Sequence, residues 1–123
     1  MASLPRTIAI VEDDASMRRS VRRLLNAHGF ATEEYPSAES FLQRTIGGEV
    51  ECLVLDVDLG GMSGIELQRR LKDDGSCPPV IFITALEDEA LQADAERAGC
   101  FAYLRKPFPG SALIESINEA LGP

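Results

Sequence analysis

Three short apolar runs constrain the fold of this chain more than any other feature of its sequence. The clearest is CLVL at residues 52–55, which is apolar at every position and is ended by Asp56. Residues 6–12 and 80–84 are built in the same way around the segments IAIV and VIFI. A run of this length without apolar–polar alternation is typical of a β-strand that is covered on both faces.

Helical segments alternate with the predicted strands along the whole chain. The predicted strands are residues 6–12, 30–35, 52–55, 80–84 and 100–104, and the predicted helices are residues 15–28, 37–46, 63–74, 87–98 and 111–121. Gly29, Gly47-Gly48 and Gly99 are expected to stop helices, and Ser37 and Ser63 to cap them. Five strand–helix units in strict alternation predict an α/β fold, a (βα)5 doubly wound parallel sheet in the flavodoxin-like strand order 2-1-3-4-5. The second strand is polar, as expected at a sheet edge.

Length and charge narrow the class of protein. A chain of 123 residues is long enough for one ordinary domain. Its net charge of −8 argues against a nucleic-acid binder or a protein that binds anionic membranes, and no apolar run is long enough to cross a bilayer.

Three widely spaced cysteines without a C-x-x-C pair suggest reduced thiols and a cytoplasmic location. One histidine excludes a His/Cys metal site.

Polar side chains follow four of the five predicted strands, at the point where each strand ends. They are Glu12 and Asp13 after the first strand, Asp56 after the third, Thr84 at the end of the fourth and Lys106 after the fifth. In the predicted strand order these four strands are neighbours, and ligand sites of such sheets lie beyond the carboxyl ends of the strands. We therefore expect these side chains to meet in one cleft.

The chemistry of this set points to phosphoryl transfer. Three carboxylates at close range repel one another unless they hold protons or share a cation. Oxygen ligands in an open cleft suit a hard ion, and few protein ligands with room for water suit Mg²⁺ better than Ca²⁺. A cation, a lysine and a hydroxyl can neutralise and orient a phosphoryl group, and a carboxylate can be the nucleophile that receives it.

The chain resembles the receiver domains of two-component response regulators. The resemblance covers residues 6–121 and rests on four motifs in order: VEDD after the first strand, LVLDVDLGGMSG around the third, ITA after the fourth and YLRKPF after the fifth. It implies a single receiver domain over residues 1–123, with its core at about 6–121 and no effector domain.

The resemblance implies a role for each acidic residue of the cleft. Asp56 corresponds to the phosphoacceptor, which takes a phosphoryl group from a sensor histidine kinase, a phosphotransfer protein or a small acyl phosphate. Asp13 resembles the direct Mg²⁺ ligand and Glu12 the acid that acts mainly through a metal-bound water. Asp58 is expected to offer its backbone carbonyl to the metal.

Five further residues receive roles. Thr84 matches the hydroxyl that bonds a phosphoryl oxygen, and Lys106 the lysine that pairs with Asp56 and then with the phosphate. The resemblance implies a cis peptide bond before Pro107 and identifies Tyr103 as an aromatic switch that swings inward when Thr84 moves. Leu86 is expected to shield the phosphoryl group from water.

The loop after Asp56 departs from the family pattern. Gly60 stands where a proline is common, and Gly61 follows it. Two glycines give up the restriction that proline places on the unfolded chain, so we expect a more mobile loop. Asp58 adds a carboxylate beside the phosphoacceptor, and we expect its charge to alter metal affinity and phosphoryl lifetime.

Residues near the motifs also have simpler interpretations. Asp14 is expected to serve the N-terminus of the first helix rather than a metal, and His28 to lie at the surface near that helix's end. The arginines of the first helix are interpreted either as a solvated charged face or as a docking surface; they are Arg18, Arg19, Arg22 and Arg23.

These residues are compatible with three functions. The leading one is a phosphorylation-controlled switch that changes the surface formed by the fourth helix, fifth strand and fifth helix, with homodimerisation on phosphorylation as a possibility. The second is a phosphorylation-independent interaction module, which the intact set of acids, Thr84 and Lys106 disfavours. The third, a hydrolase with an aspartate nucleophile, is disfavoured by the absence of a cap domain. The ending ALGP fits either a free-standing receiver or the start of a linker, and we favour the linker.

Overall fold

The computed structural model describes residues 5–44 and 49–122, and it contains five strands and five helices in alternation. The strands are β1 (Thr7–Val11), β2 (Ala31–Tyr35), β3 (Cys52–Asp56), β4 (Val80–Thr84) and β5 (Ala102–Arg105). The helices are α1 (Ala15–Ala27), α2 (Ala38–Leu42), α3 (Gly64–Asp73), α4 (Glu89–Arg97) and α5 (Gly110–Leu121).

The strands form one parallel sheet in the order β2-β1-β3-β4-β5, which confirms the predicted fold and strand order. Every residue of β3 and of β4 is buried, as the unbroken apolar runs predict. β2 lies at the edge, and all five of its residues are only partly buried.

Two hydrophobic clusters cover the two faces of the sheet. α1 and α5 pack on one face through residues such as Leu25, Leu113 and Ile117. α2, α3 and α4 cover the other face through residues such as Phe41, Leu67 and Ala95. Alternate residues of the central strands point into the two clusters, so both faces of the sheet are covered and its carboxyl ends remain at one edge of the domain.

The helix ends agree with the sequence except at α2 and α4. Gly29 and Gly99 follow α1 and α4 with a φ of 87° each, and Ser37 and Ser63 cap α2 and α3 as predicted. α4 begins at Glu89 instead of residue 87, because Asp88 accepts the N–H groups of Ala90 and Leu91 and so caps the helix.

α2 ends at Leu42, four residues before the predicted end at residue 46. The N–H of Gln43 still bonds to the carbonyl of Glu39, and the helix goes no further. Ile46 and the predicted stop at Gly47-Gly48 lie outside the described residues.

β5 is shifted along the chain from its predicted start at residue 100. The N–H of Cys100 bonds back to the carbonyl of Ala95 in the last turn of α4, so this residue is not free to enter the sheet. Sheet contact begins with the N–H of Phe101, which bonds to the carbonyl of Val80. Among the helices in the described part of the chain, none has the length and apolar composition needed to cross a membrane.

Candidate functional site

The candidate site lies at the carboxyl edge of the sheet, where four neighbouring strands end. Asp56 and Thr84 are the last residues of β3 and β4, and Glu12 and Lys106 are the first residues after β1 and β5. The parallel pairing of these strands brings the four side chains to one edge. They line a cleft of about 210 Å³ formed by Glu12, Asp13, Asp14, Asp56, Asp58, Thr84, Ala85, Leu86 and Lys106.

Lys106 is paired with two carboxylates in this cleft. Its Nζ donates to Glu12 Oε1 at 2.6 Å and lies 3.5 Å from Asp56 Oδ2. The side chain of Glu12 is fully buried, whereas that of Lys106 is 16% exposed. The second oxygen of Glu12, Oε2, accepts the N–H of Asp14 at 3.3 Å, so both oxygens of this buried acid have a partner.

The proton affinities of this pair reflect burial as well as pairing. Desolvation, followed by hydrogen bonding with Asp56, raises the pKa of Glu12 above its ordinary value, and the bond from Lys106 only partly opposes this. Desolvation alone would lower the pKa of Lys106, but its bonds to Glu12 and the charge of Asp56 outweigh it, and the pKa of the amine is raised. Lys106 is therefore a charged ammonium group at neutral pH.

Three acidic residues form a cluster whose geometry would allow them to hold a cation. One carboxylate oxygen from each of Glu12, Asp13 and Asp56 lies within 4.8 Å of the others. Asp13 is exposed, and desolvation in the cleft together with the neighbouring Glu12 raises its pKa. Such crowding of acids is relieved by a bound cation, and an all-oxygen set suits a hard ion such as Mg²⁺.

Thr84 is fully buried at the end of β4 and its hydroxyl faces the next loop. Oγ1 accepts the N–H of Leu86 at 3.0 Å, so the proton of the hydroxyl remains available for donation. Leu86 is half-buried and lines the cleft. The predicted hydroxyl and the predicted apolar shield are therefore both in the cleft with Asp56.

Asp56 is joined to the loop that follows it. The N–H of Asp58 donates to Asp56 Oδ1 at 3.2 Å, while the side chain of Asp58 is exposed. At the far end of the loop, the N–H of Gly64 bonds to the carbonyl of Val57 at 3.0 Å. A Cβ at residue 64 would lie 2.2 Å from the carbonyl oxygen of Asp56, so only glycine allows α3 to begin here.

Comparison with known proteins decides the family. The sequence model described as the response regulator receiver domain matches residues 8–118. The chain belongs to the response regulator receiver domain family. It is 36% identical over 115 residues to the transcriptional regulatory protein TdiR of Thauera aromatica, a match that covers 94% of this chain and 51% of TdiR.

Solved receiver structures share the fold of this receiver domain. A crystal structure of FixJ-N superposes with a TM-score of 0.85 at 35% sequence identity. The match covers 98% of this chain and 95% of the FixJ-N chain. A response regulator receiver protein from Burkholderia phymatum gives a TM-score of 0.82 at 42% identity, with 95% of each chain covered. The chain spans about half the length of TdiR.

The receiver domain also contains the predicted peptide isomer and a half-buried tyrosine whose hydroxyl is buried. The bond between Lys106 and Pro107 is cis, which is the isomer that the resemblance implies. The ring of Tyr103 packs on Phe82 with centroids 6.2 Å apart. Its hydroxyl is buried and has no hydrogen-bond partner in the part of the chain that the structure describes. Burial raises the pKa of this hydroxyl.

Residues of α1 complete the site of the receiver domain. Asp14 is the N-cap of α1, where it accepts the N–H groups of Ser16 and Met17, as predicted. Arg18 has a role that the sequence did not reveal, since it donates to the backbone carbonyl of Glu12 at 2.7 Å. Arg18 and Arg22 both lie against Glu34 of β2, so half of the arginine cluster is committed to the fold. His28 is exposed at the end of α1, as predicted.

Proposed function

We propose that this receiver domain is a phosphorylation-controlled signalling switch whose phosphoacceptor is Asp56. The observation that carries the proposal is the convergence of three carboxylates, an ammonium group and a hydroxyl on one cleft. In a purely structural domain, these charged groups would cost desolvation free energy and serve no function. The proposed phosphodonor is a sensor histidine kinase, a phosphotransfer protein or a small acyl phosphate.

The reaction is a displacement at phosphorus. An oxygen of the Asp56 carboxylate forms a bond to phosphorus, and the bond to the nitrogen of the donor histidine breaks. The electron pair of that bond stays with the imidazole, and the product is an acyl phosphate on Asp56. Because the charge on the transferred group is spread over three oxygens, positioning and neutralisation supply most of the catalysis.

Different residues of the cleft would position the phosphoryl group and neutralise its charge. Lys106, already a cation beside Asp56, would pair with one phosphoryl oxygen, and the free proton of the Thr84 hydroxyl would donate to another. Asp13, Asp56 and the backbone carbonyl of Asp58 are the groups that would hold Mg²⁺, with Glu12 acting through water because Lys106 and Asp14 occupy its oxygens. Mg²⁺ would supply charge neutralisation to the phosphoryl oxygens.

Tyr103 and Thr84 would pass the change on to the surface of α4, β5 and α5. Phe82 and Thr84 lie two residues apart on β4, so their side chains share a face of the sheet, and Tyr103 packs on Phe82. The buried Tyr103 hydroxyl lacks a partner among the described residues, which costs about 1–3 kcal/mol. A rearrangement that gives this hydroxyl a partner recovers that cost, so the element is suited to two states. The altered surface would control an output domain or a partner, with homodimerisation as one form.

Intact-protein mass spectrometry tests the proposal. Wild-type protein is incubated with a small acyl phosphate in Mg²⁺ and, separately, in EDTA. We expect a labile gain of one phosphoryl group in Mg²⁺ alone, and no gain in Asp56→Asn. Asp73→Asn, at an exposed position on α3, is the matched control and should be phosphorylated normally. If wild type gains nothing, even from a histidine kinase, the domain acts as an interaction module without phosphorylation.

A further inference from the structure

Two adjacent glycines give the backbone of the loop between β3 and α3 few local restraints. The loop contains Gly60, which adopts a φ of +83°, followed by Gly61. A pair of glycines loses more conformational freedom on ordering than any other pair of residues. Yet this loop carries Asp58, whose backbone lies directly beside the Asp56 carboxylate.

A side chain from another element holds the middle of this loop. Glu39, in the first turn of α2, accepts the N–H of Met62 with Oε2 at a distance of 3.0 Å. The two residues are 23 positions apart, so the bond joins separate parts of the fold. The N–H of Met62 lowers the pKa of Glu39, which is therefore a carboxylate at neutral pH.

Gly61 makes room for this bond. A Cβ at residue 61 would lie 2.6 Å from Glu39 Oε2, which is closer than non-bonded atoms approach. The φ of Gly61 is not positive, so its backbone would accept alanine. The absence of a side chain at this position thus serves the approach of the carboxylate rather than the turn itself.

Leu59 of this loop is buried in the core and Met62 packs against it, but the loop's remaining hydrogen bonds lie at its two ends. At the start, the N–H of Asp58 bonds to Asp56, and the N–H of Val57 lies 3.4 Å from the carbonyl of Ile83. At the end, Gly64 bonds to Val57 and Ser63 caps α3. Between these ends, the Met62 N–H donates to Glu39. Among the described residues, this is the one hydrogen bond that joins the centre of the loop to another element.

We propose that Glu39 is a positioning residue for the cation site: by holding Met62, it fixes the β3–α3 loop in the conformation that brings the Asp58 backbone to Asp56. The inference rests on the proposed function, in which the acidic cleft binds Mg²⁺. Glu39 would touch neither the metal nor the phosphoryl group. It would act by removing alternative conformations of the loop before the cation arrives, which is a gain from preorganisation.

Three variants separate this role from other effects of a surface acid. Glu39→Ala removes the acceptor, and Glu39→Gln removes the charge but keeps an oxygen that can accept the Met62 N–H. Gly61→Ala keeps the carboxylate but pushes it away from the loop. Mg²⁺ alone is titrated into each protein and followed by the ¹⁵N-amide shifts of Asp58 and Met62. The hydrogen-exchange rate of the Met62 amide and the urea unfolding midpoint are measured without metal.

The expected pattern follows from the bond to Met62. Glu39→Ala and Gly61→Ala should each weaken Mg²⁺ binding about 3- to 10-fold and speed exchange of the Met62 amide, with the unfolding midpoint little changed. Glu39→Gln should retain most of the wild-type affinity. The double variant Glu39→Ala/Gly61→Ala should bind Mg²⁺ no more weakly than either single variant, because both remove the same bond.

Other outcomes overturn the inference in distinguishable ways. If Glu39→Gln weakens Mg²⁺ binding as much as Glu39→Ala does, the carboxylate acts through its charge and not through Met62. If wild-type affinity persists in Glu39→Ala and Gly61→Ala, the loop does not need the bond. If wild type itself binds no Mg²⁺, the proposed function fails and this inference fails with it.

Discussion

The ammonium group of Lys106 lies 2.6 Å from Glu12 Oε1, closer than the 3.5 Å that separates it from Asp56 Oδ2. The lysine expected to pair with the phosphoacceptor thus also neutralises a fully buried acid. A buried carboxylate that loses its cation must stay charged at high cost or take up a proton. This relationship makes Lys106 a residue of the fold as well as of the site.

Replacement of Lys106 by methionine is therefore expected to destabilise the protein. We expect a loss of about 2–4 kcal/mol in the free energy of unfolding near pH 7, because Glu12 is left buried without a cation. Because the pKa of Glu12 is raised above its ordinary value of 4.5, the loss should shrink as the pH falls from 7 towards 4.5 and this acid takes up a proton. Urea unfolding at the two pH values measures both effects. The double variant Lys106→Met/Glu12→Gln should regain most of the stability, and equal instability of the single and double variants would contradict this account.

Gln68 offers the opposite case, a buried polar group without a partner. Its side chain on α3 is fully buried, and neither its Oε1 nor its Nε2 has a hydrogen bond within residues 5–44 and 49–122. Gln68→Leu should raise the free energy of unfolding by about 1–3 kcal/mol, because an unsatisfied amide costs roughly that much to bury. Urea unfolding measures the gain, and Arg69→Leu on the exposed side of the same helix is the control. A less stable Gln68→Leu protein would show that the amide has a partner in solution.

The ion pair between Glu33 and Arg44 gives a prediction about pH. Arg44 bonds to both oxygens of Glu33, at 2.6 and 3.0 Å, and lowers the pKa of Glu33 below its ordinary value of 4.5. An acid with a lowered folded-state pKa stabilises the fold above its unfolded-state pKa and loses this contribution as the pH falls through the folded-state value. Glu33→Gln should therefore cost about 1–2 kcal/mol near pH 7 and little at a pH well below 4.5, where Glu33 is protonated in the folded protein too.

Unfolding free energies of wild type and Glu33→Gln at these two pH values provide the test. Glu49→Gln, at an exposed position, is the matched control. A deficit in Glu33→Gln that does not change with pH would show that the side chain acts by packing instead of by its charge.

Asp58 is expected to tune the cation site through its charge. Its side chain is exposed in the cleft, and its carboxylate contributes to the raised pKa of Asp13. Asp58→Asn keeps the backbone carbonyl but removes this negative potential, so Mg²⁺ affinity should fall about 2- to 5-fold and the rate of dephosphorylation of Asp56 should change. Mg²⁺ titration and the decay of the phosphorylated protein measure these effects. If both the Mg²⁺ affinity and the dephosphorylation rate are unchanged, the side-chain charge of Asp58 has no role and only its backbone contributes to the site.

The fold and the residues that line the cleft could be predicted from the sequence. Unbroken apolar runs identified the buried strands, and their strict alternation with helices led to the strand order, which in turn brought Glu12, Asp56 and Lys106 to one edge. Element ends were less predictable, since they depend on single bonds. Because Asp88 caps α4, this helix begins later than predicted. Because the Cys100 N–H bonds to the carbonyl of Ala95, β5 also begins later than predicted.

Contacts between distant parts of the chain could not be predicted from spacing. The bond from Glu39 to Met62 and the bond from Arg18 to the Glu12 carbonyl join separate elements, and no local pattern specifies them. Gln68 is different, because it lies four residues after Gly64 and three before Leu71, a helical spacing that puts it on the buried face of α3. Its missing partner depends on neighbouring elements, so only the structure reveals it.

Chemical mapping of the phosphorylated residue tests the central claim most directly. Borohydride reduces an acyl phosphate on aspartate to homoserine, which peptide mass spectrometry can locate after treatment of the protein with a small acyl phosphate and Mg²⁺. The account predicts homoserine at position 56 alone, and none when EDTA replaces Mg²⁺. Homoserine at Asp13 or Asp58 in place of Asp56, or no homoserine in wild-type protein that has gained a phosphoryl group, would contradict it.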